Sequence, residues 1–196
     1  MDYSQAEEQV IIRACRQGNN AAWEELVNRF TPLAYRIAYR MLNHSADAAD
    51  VTQETFERVF QSLDSFDGSK TFSPWVSKIT YHLCLKRLQQ VMVRQTDSID
   101  DKPELLAHVE NQVSMVAESG SPEKLHNHHV DLTLLREALE RLSAQDRALL
   151  HLRYKNNFSD SELGEVTGMP VNTIKTRIFR ARAFLKDTLA PLLHKK

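Results

Sequence analysis

Residues 159–186 constrain this chain more than any other stretch, because they specify two helices, the turn between them and the chemistry of each face. Ser159 and Glu162 have the spacing of a capping box, in which a hydroxyl and a carboxylate satisfy the free amides of a helix start. Gly168 stands where the first helix must stop, since glycine takes the left-handed conformation of a C-terminal cap. Pro170 prevents that helix from resuming and suits the start of the next. Beyond it Ile174, Ile178, Ala181 and Leu185 recur at helical spacing and draw one apolar stripe. Asn172, Thr176, Phe179 and Arg180 lie opposite that stripe, flanked by Lys175, Arg177, Arg182 and Lys186. Residues 171–196 hold seven Lys or Arg against one acid, Asp187. A short helix, a glycine turn and a basic second helix are the parts of a helix-turn-helix, whose second helix enters the DNA major groove.

The rest of the chain is read against that end. Its 196 residues include only five glycines and six prolines, and long periodic stretches point to an all-α protein. The formal charge of −1 hides an asymmetry. Residues 1–91 carry 10 basic and 11 acidic groups, residues 92–130 carry 3 and 7, and residues 131–196 carry 12 and 8. An acidic middle and a basic end suit a nucleic-acid binder. Cys15 and Cys84 sit in helical patterns without a partner motif and read as reduced packing residues of a cytoplasmic protein. A polar, acidic N-terminus carries no secretory signal, and no apolar run is long enough to span a membrane.

Residues 5–17 predict a first helix stopped at Gly18, and Asn19 or Asn20 caps a second with Trp23, Leu26, Val27 and Phe30 on its buried face. Pro32 is expected to kink or break that helix before the pattern continues through Leu33, Ile37, Met41 and Leu42. After the turn at 43–45, a helix over 46–62 separates two faces. Phe56, Val59, Phe60 and Leu63 form the apolar one, and Asp50, Gln53, Glu54 and Glu57 the polar one. Like charges at these steps repel. Their presence fits either a solvated face or a basic protein partner.

A polar loop at 64–71 precedes Ser73-Pro74, which read as an N-cap and first helical position. Phe72, Val76, Ile79 and Leu83 pack inward on the helix that follows. Lys78, His82 and Lys86 form a row beside them, joined by Arg87 and by the aromatic surfaces of Trp75 and Tyr81. Cations beside aromatics suit single-stranded nucleic acid, because bases stack while phosphates are neutralised; Trp75 equally fits a core position. Periodicity fails over 92–130, which reads as an acidic linker with a short helix near 104–116. His126, His128 and His129 lack the further ligands of a metal site, and no metal or other cofactor is expected. Leu132, Leu135, Leu139 and Leu142 open a second unit at 131–196, followed by a Ser143/Asp146 cap and inward-facing Leu149 and Leu152. No Gly-rich phosphate loop or nucleophile–base arrangement appears, so an enzyme is not expected. A stand-alone helix-turn-helix regulator with a ligand-sensing or dimerising N-terminal domain is the rival reading.

Four stretches resemble the extracytoplasmic-function sigma factors of bacterial RNA polymerase. They are Trp23-Glu-Glu-Leu-Val with the helix after it, the run from Asp47 to Phe56, the run from Phe72 to Ile79, and Leu142 through Leu185. The resemblance implies two helical domains, region 2 over 1–91 and region 4 over 131–196, joined by the linker at 92–130. It implies a factor without catalysis of its own that docks on core polymerase, reads two promoter sites in the cytoplasm, and is restrained by an anti-sigma factor. Asp50, Gln53 and Glu54 match the motif that binds the coiled coil of the polymerase clamp, and Glu57 continues their face. The loop at 64–71, with Ser65 and Lys70, and the helix carrying Trp75, Lys78, Tyr81, His82, Lys86 and Arg87 match the part that captures −10 bases. The helix from Asn172 through Thr173, Lys175, Thr176, Arg177, Phe179, Arg180 and Arg182 matches the reader of the −35 site. His82 and Asn172 depart from the residues many relatives carry there. Gly164 replaces the usual alanine inside the scaffold helix, at an expected cost of about 1 kcal/mol.

Overall fold

The computed structural model describes residues 3–97 and 133–193, and every regular element among them is helical. The first unit holds α1 (Glu8–Arg16), α2 (Asn20–Leu42), α3 (Ser45–Ser62), a 3₁₀ turn (Leu63–Ser65) and α4 (Phe72–Asp97). The second holds α5 (133–140), α6 (Ala144–Tyr154), α7 (Asp160–Thr167) and α8 (Val171–Leu193). The short helix expected near 104–116 and the three histidines at 126–129 lie outside the described residues.

Local chemistry sets the boundaries. Gly18 at φ 78° ends the first turnings, and Asn19 caps α2 by accepting from the Ala22 amide. Asn43 closes α2 in the left-handed conformation at φ 51°. Of the expected kink or break, the break does not occur: α2 runs unbroken through Pro32, whose carbonyl accepts from Arg36 Nε at 2.8 Å. Burial of Leu26, Phe30, Leu33, Ala34 and Ile37 on both sides of the proline holds the helix together against the lost amide. Ser73 is not the cap of α4. The helix begins at Phe72, whose amide donates 2.7 Å to Glu8 Oε1, so the cap comes from α1. Arg16 of α1 also donates to the carbonyls of Leu63 and Phe66, fixing the start of the loop before α4.

The buried face of α3 is Ala48, Val51, Thr52, Thr55 and Val59 rather than a stripe through Phe60. Both threonine hydroxyls return to carbonyls one turn back, at 2.7 and 2.8 Å, so they enter the core satisfied. Phe60 is 65% exposed and packs against Trp23 in a tilted pair, ring centroids 4.9 Å apart. Leu135 is likewise exposed, and Ala138 takes the buried position on α5.

The two units pack together, α7 against α4 and α6 against α2. Arg147 of α6 ties them, donating 2.6 Å to Arg40 O and 3.2 Å to Met41 O at the end of α2. His151, also on α6, is pushed down from 6.5 to about 4 by burial, with Arg40, Arg36 and Lys155 opposing its protonation. Cys15 and Cys84 are buried thiols held protonated by desolvation, at about 11 and 12.

Two stability predictions arise. Because His151 is neutral when folded and protonates more readily unfolded, stability should be full above about pH 6.5 and fall as pH drops toward 4, by at most about 3 kcal/mol. Urea melts across that window should show the slope, and His151→Gln should flatten it. A Cβ on Gly164 meets only Met169 O at 3.4 Å and two side-chain carbons at 3.9 Å, which is ordinary contact. Gly164→Ala should therefore raise stability by about 0.5–1 kcal/mol in the same melts.

Candidate promoter and polymerase surfaces

The polar row of α3 stands where helical spacing places it. Gln53, Glu57 and Asp50 are exposed, and the Asp50 side chain is 72% accessible. Gln53 Nε2 donates 3.0 Å to Glu57 Oε1, and Glu54 pairs with Arg58 at 2.9 Å. Next to the row, α2 and α3 leave an apolar groove of about 800 Å³ walled by Val27, Tyr35, Phe56 and Phe60. The sequence reading missed this groove. Its signal was the spacing of Phe56 and Phe60, one turn apart on α3; Phe56 is half-buried against the core and Phe60 is exposed.

On the other side of α3, α4 opens a cleft of about 530 Å³ whose walls include Trp75, Lys78, His82 and Lys86. Lys78, His82 and Lys86 are exposed and Trp75 is half-buried, its ring 5.3 Å from both Phe66 and Phe72. Trp75 therefore closes the core with one face and the cleft with the other. Arg58, Gln61, Ser62 and Ser65 complete the opposite wall. Ser65 was expected here, whereas Arg58, Gln61 and Ser62 were not anticipated, although they lie within four residues of it or one turn further back on α3.

Three expected contacts are placed elsewhere. Tyr81 is fully buried, not an aromatic surface, and desolvation raises its hydroxyl to about 12. The α4 position that Tyr81 occupies faces the second unit, whose Arg177 and Asp146 charges act on it. Arg87 leaves the cation row and reaches Asp47 in the first turn of α3, with Nε at 3.1 Å and Nη2 at 2.5 Å, and stands 3.7 Å from Asp50. The Arg87 guanidinium, first of all, holds the Asp47 carboxyl below its ordinary value. Lys70 pairs with Glu165 of α7 at 3.2 Å.

In the second unit the capping box of Ser159 and Glu162 is complete, and Gly168 closes α7 at φ 73°. Ile174, Ile178 and Ala181 are buried against the unit's core, with Leu185 half-buried. That leaves Asn172, Thr173, Lys175, Thr176, Arg180 and Arg182 exposed, with Phe179 at 73%. Arg177 turns inward instead, Nε donating 2.7 Å to Asp146 Oδ1 and Nη2 3.2 Å to Ser143 Oγ. It braces α8 against the start of α6. Arg182 lies over the Tyr154 ring at 5.8 Å. Among the described residues no group of three or more His, Cys, Asp or Glu is placed to hold a metal, and no helix is long and apolar enough to cross a membrane.

Comparison with known proteins matches this arrangement unit by unit. Residues 26–92 match Sigma-70 region 2, and residues 132–185 match Sigma-70, region 4. The chain is 35% identical to the ECF RNA polymerase sigma factor SigE of Mycolicibacterium smegmatis over 176 residues, 88% of this chain and 65% of that protein's length. It is 30% identical to the ECF RNA polymerase sigma factor SigW of Bacillus subtilis over 187 residues, 92% of this chain and 96% of that one. Its fold resembles the sigma factor RpoE co-crystallised with the anti-sigma factor NepR from Bartonella quintana, at TM-score 0.67 and 23% identity over 85% of this chain and 96% of that chain. It also resembles CnrH in complex with the cytosolic domain of CnrY, at TM-score 0.59 and 21% identity over 94% of this chain and 97% of that chain. With both regions in order on an all-helical chain, and near full-length similarity to SigW, the protein belongs to the extracytoplasmic-function sigma factors of RNA polymerase.

Proposed function

We propose that this sigma factor divides its work among three surfaces. Asp50, Gln53, Glu54 and Glu57 dock on the clamp coiled coil of core polymerase, with the apolar groove beside them receiving aliphatic side chains of the same partner. Trp75, Lys78, His82 and Lys86, joined by Ser65 and Lys70 from the preceding loop, take the unstacked bases and backbone of the −10 site. Asn172, Thr173, Thr176, Phe179 and Arg180 read the −35 site, with Lys175 and Arg182 on phosphates. Arg87 and Arg177 act one step behind, bracing α3 and α8 through their aspartates.

The observation that carries this reading is the separation achieved by α3. Gln53 and Glu57 border one cleft and Lys78, His82 and Lys86 another, and Arg87 pairs with Asp47 between α4 and α3. A protein partner of positive charge and a nucleic acid can then be bound at once. Neither DNA surface is large, so polymerase supplies the connection that makes the two additive. One fold neighbour is bound to an anti-sigma factor, and an inhibitor of that class fits here too, because the docking row and groove are open to it.

Asp50→Ala with Glu54→Ala should reduce core-polymerase pull-down at least tenfold while leaving the melting temperature unchanged; undiminished pull-down would refute the docking assignment. Arg180→Ala should cost about 1–3 kcal/mol on promoters carrying its preferred base and relax that preference in run-off transcription. A uniform loss on all promoters would reassign it to phosphate. A stand-alone regulator would instead shift duplex DNA equally well with and without core polymerase.

A further inference from the structure

The loop between α3 and α4 has little of its own to hold it in one conformation. Of residues 64–71 only Phe66 is buried, and the five from Asp67 to Thr71 are all exposed. Asp67 closes the tip by accepting from the Ser69 amide at 3.0 Å and the Ser69 hydroxyl at 2.8 Å, a local turn that ties the loop to nothing else. An exposed segment without buried side chains samples many conformations unless its backbone is anchored.

The anchors come from α1, which precedes the residues that match Sigma-70 region 2. At the entry to the loop, Arg16 Nη2 donates 3.1 Å to the carbonyl of Leu63 and also to that of Phe66. Further along, Gln9 Nε2 reaches Lys70 O at 3.4 Å, and the Gln9 amide oxygen is 3.4 Å from where a Cβ on Gly68 would stand. At the exit, Glu8 Oε1 accepts from the Phe72 amide at 2.7 Å. Helix α1 is itself fixed. Ile11, Ile12, Ala14 and Cys15 bury one face, and Arg29 of α2, paired with Glu25, donates to the carbonyls of Tyr3, Ser4 and Ala6 just before it.

The grip reaches the cleft on α4. Phe66, whose carbonyl Arg16 holds, has its ring 5.1 Å from Phe72 and 5.3 Å from Trp75. Its neighbour Ser65 and Trp75 both line that cleft. A shift of Phe66 therefore moves two of the walls between which a base would lie. We propose that Arg16 and Glu8 are positioning residues for −10 base capture, holding the two ends of the loop so that the pocket selecting the base is formed before DNA arrives. The proposal rests on the assignment of the loop and α4 to the −10 site. Neither residue contacts DNA in this role; both act through Ser65, Phe66 and Trp75.

Base preference is the discriminating readout, because it depends on the shape of the pocket and not on how much of a variant is folded. Core polymerase loaded with each variant is allowed to capture a pool of random single-stranded DNA, and the bound fraction is sequenced against core polymerase alone. Wild-type protein should enrich a short motif, and Arg16→Ala and Glu8→Ala should each lower that enrichment about fivefold or more. Glu8→Gln, which keeps the acceptor for the Phe72 amide, should retain it. So should Arg13→Ala, which removes the same charge as Arg16→Ala from an exposed position of the same helix. Unchanged preference in Arg16→Ala and Glu8→Ala, or an equal loss in Arg13→Ala, overturns the positioning role. If wild-type protein enriches no motif, or Lys78→Ala with Lys86→Ala binds the pool undiminished, it is the −10 assignment that fails, and the positioning role falls with it.

Discussion

Helix α4 is enclosed on most of its circumference, and that enclosure governs the rest of the molecule. Val76, Ser77, Thr80, Tyr81, Leu83 and Cys84 are all buried, divided between α2 and α3 on one side and α7 on the other. Over residues 72–88 the exposed positions are Lys78, His82 and Lys86, with half-buried Trp75 at their head. A helix buried this broadly cannot rotate by one residue without driving a lysine into the core, where an unpaired charge is prohibitive. The direction of the cations is therefore set by what surrounds them. The Glu8 cap and the Arg16 clamp act to the same end, since they fix where α4 begins and how the preceding loop approaches it.

The same enclosure explains how a chain of net charge −1 manages two partners of opposite sign. Carboxylates of α3 and cations of α4 attract each other, and left free they would collapse into ion pairs. Arg87 takes up Asp47 and stands 3.7 Å from Asp50, and Arg58 takes up Glu54, while Glu57 on α3 and the lysine row on α4 border different clefts. Pairs as exposed as Arg58 and Glu54 contribute little to stability. Their value lies in settling which charges are left for partners.

Much of this was legible in the residues. The helix-turn-helix was readable to the individual cap, because Ser159, Glu162, Gly168 and Pro170 each act within a few residues of themselves. The acidic row and the lysine row were also readable, since helical spacing alone places them. What was not legible depended on distant neighbours. Pro32 signals a kink or a break, yet with burial on both flanks the helix is not broken. Ser73 has the form of a cap, but Glu8, 64 residues away in sequence, occupies that role. Thr52 and Thr55 look like surface residues until their hydroxyls bond one turn back, and their burial is what leaves Phe60 outside. Tyr81 and Arg177 misled for the same reason, each chosen for its chemistry and then claimed by an element from the other end of the chain or the unit.

Tyr81 also shows why a residue's chemistry and its availability are separate questions. A tyrosine beside a lysine row suits base stacking, but its hydroxyl here is desolvated and without a partner among the described residues. That burial comes where α4 meets the second unit, whose Arg177 and Asp146 charges act on the hydroxyl. On α8 the stripe of Ile174, Ile178 and Ala181 is buried while Asn172, Thr176 and Arg180 stay exposed. Which side chains each helix uses to bury itself therefore decides which of its chemistry is left at the surface.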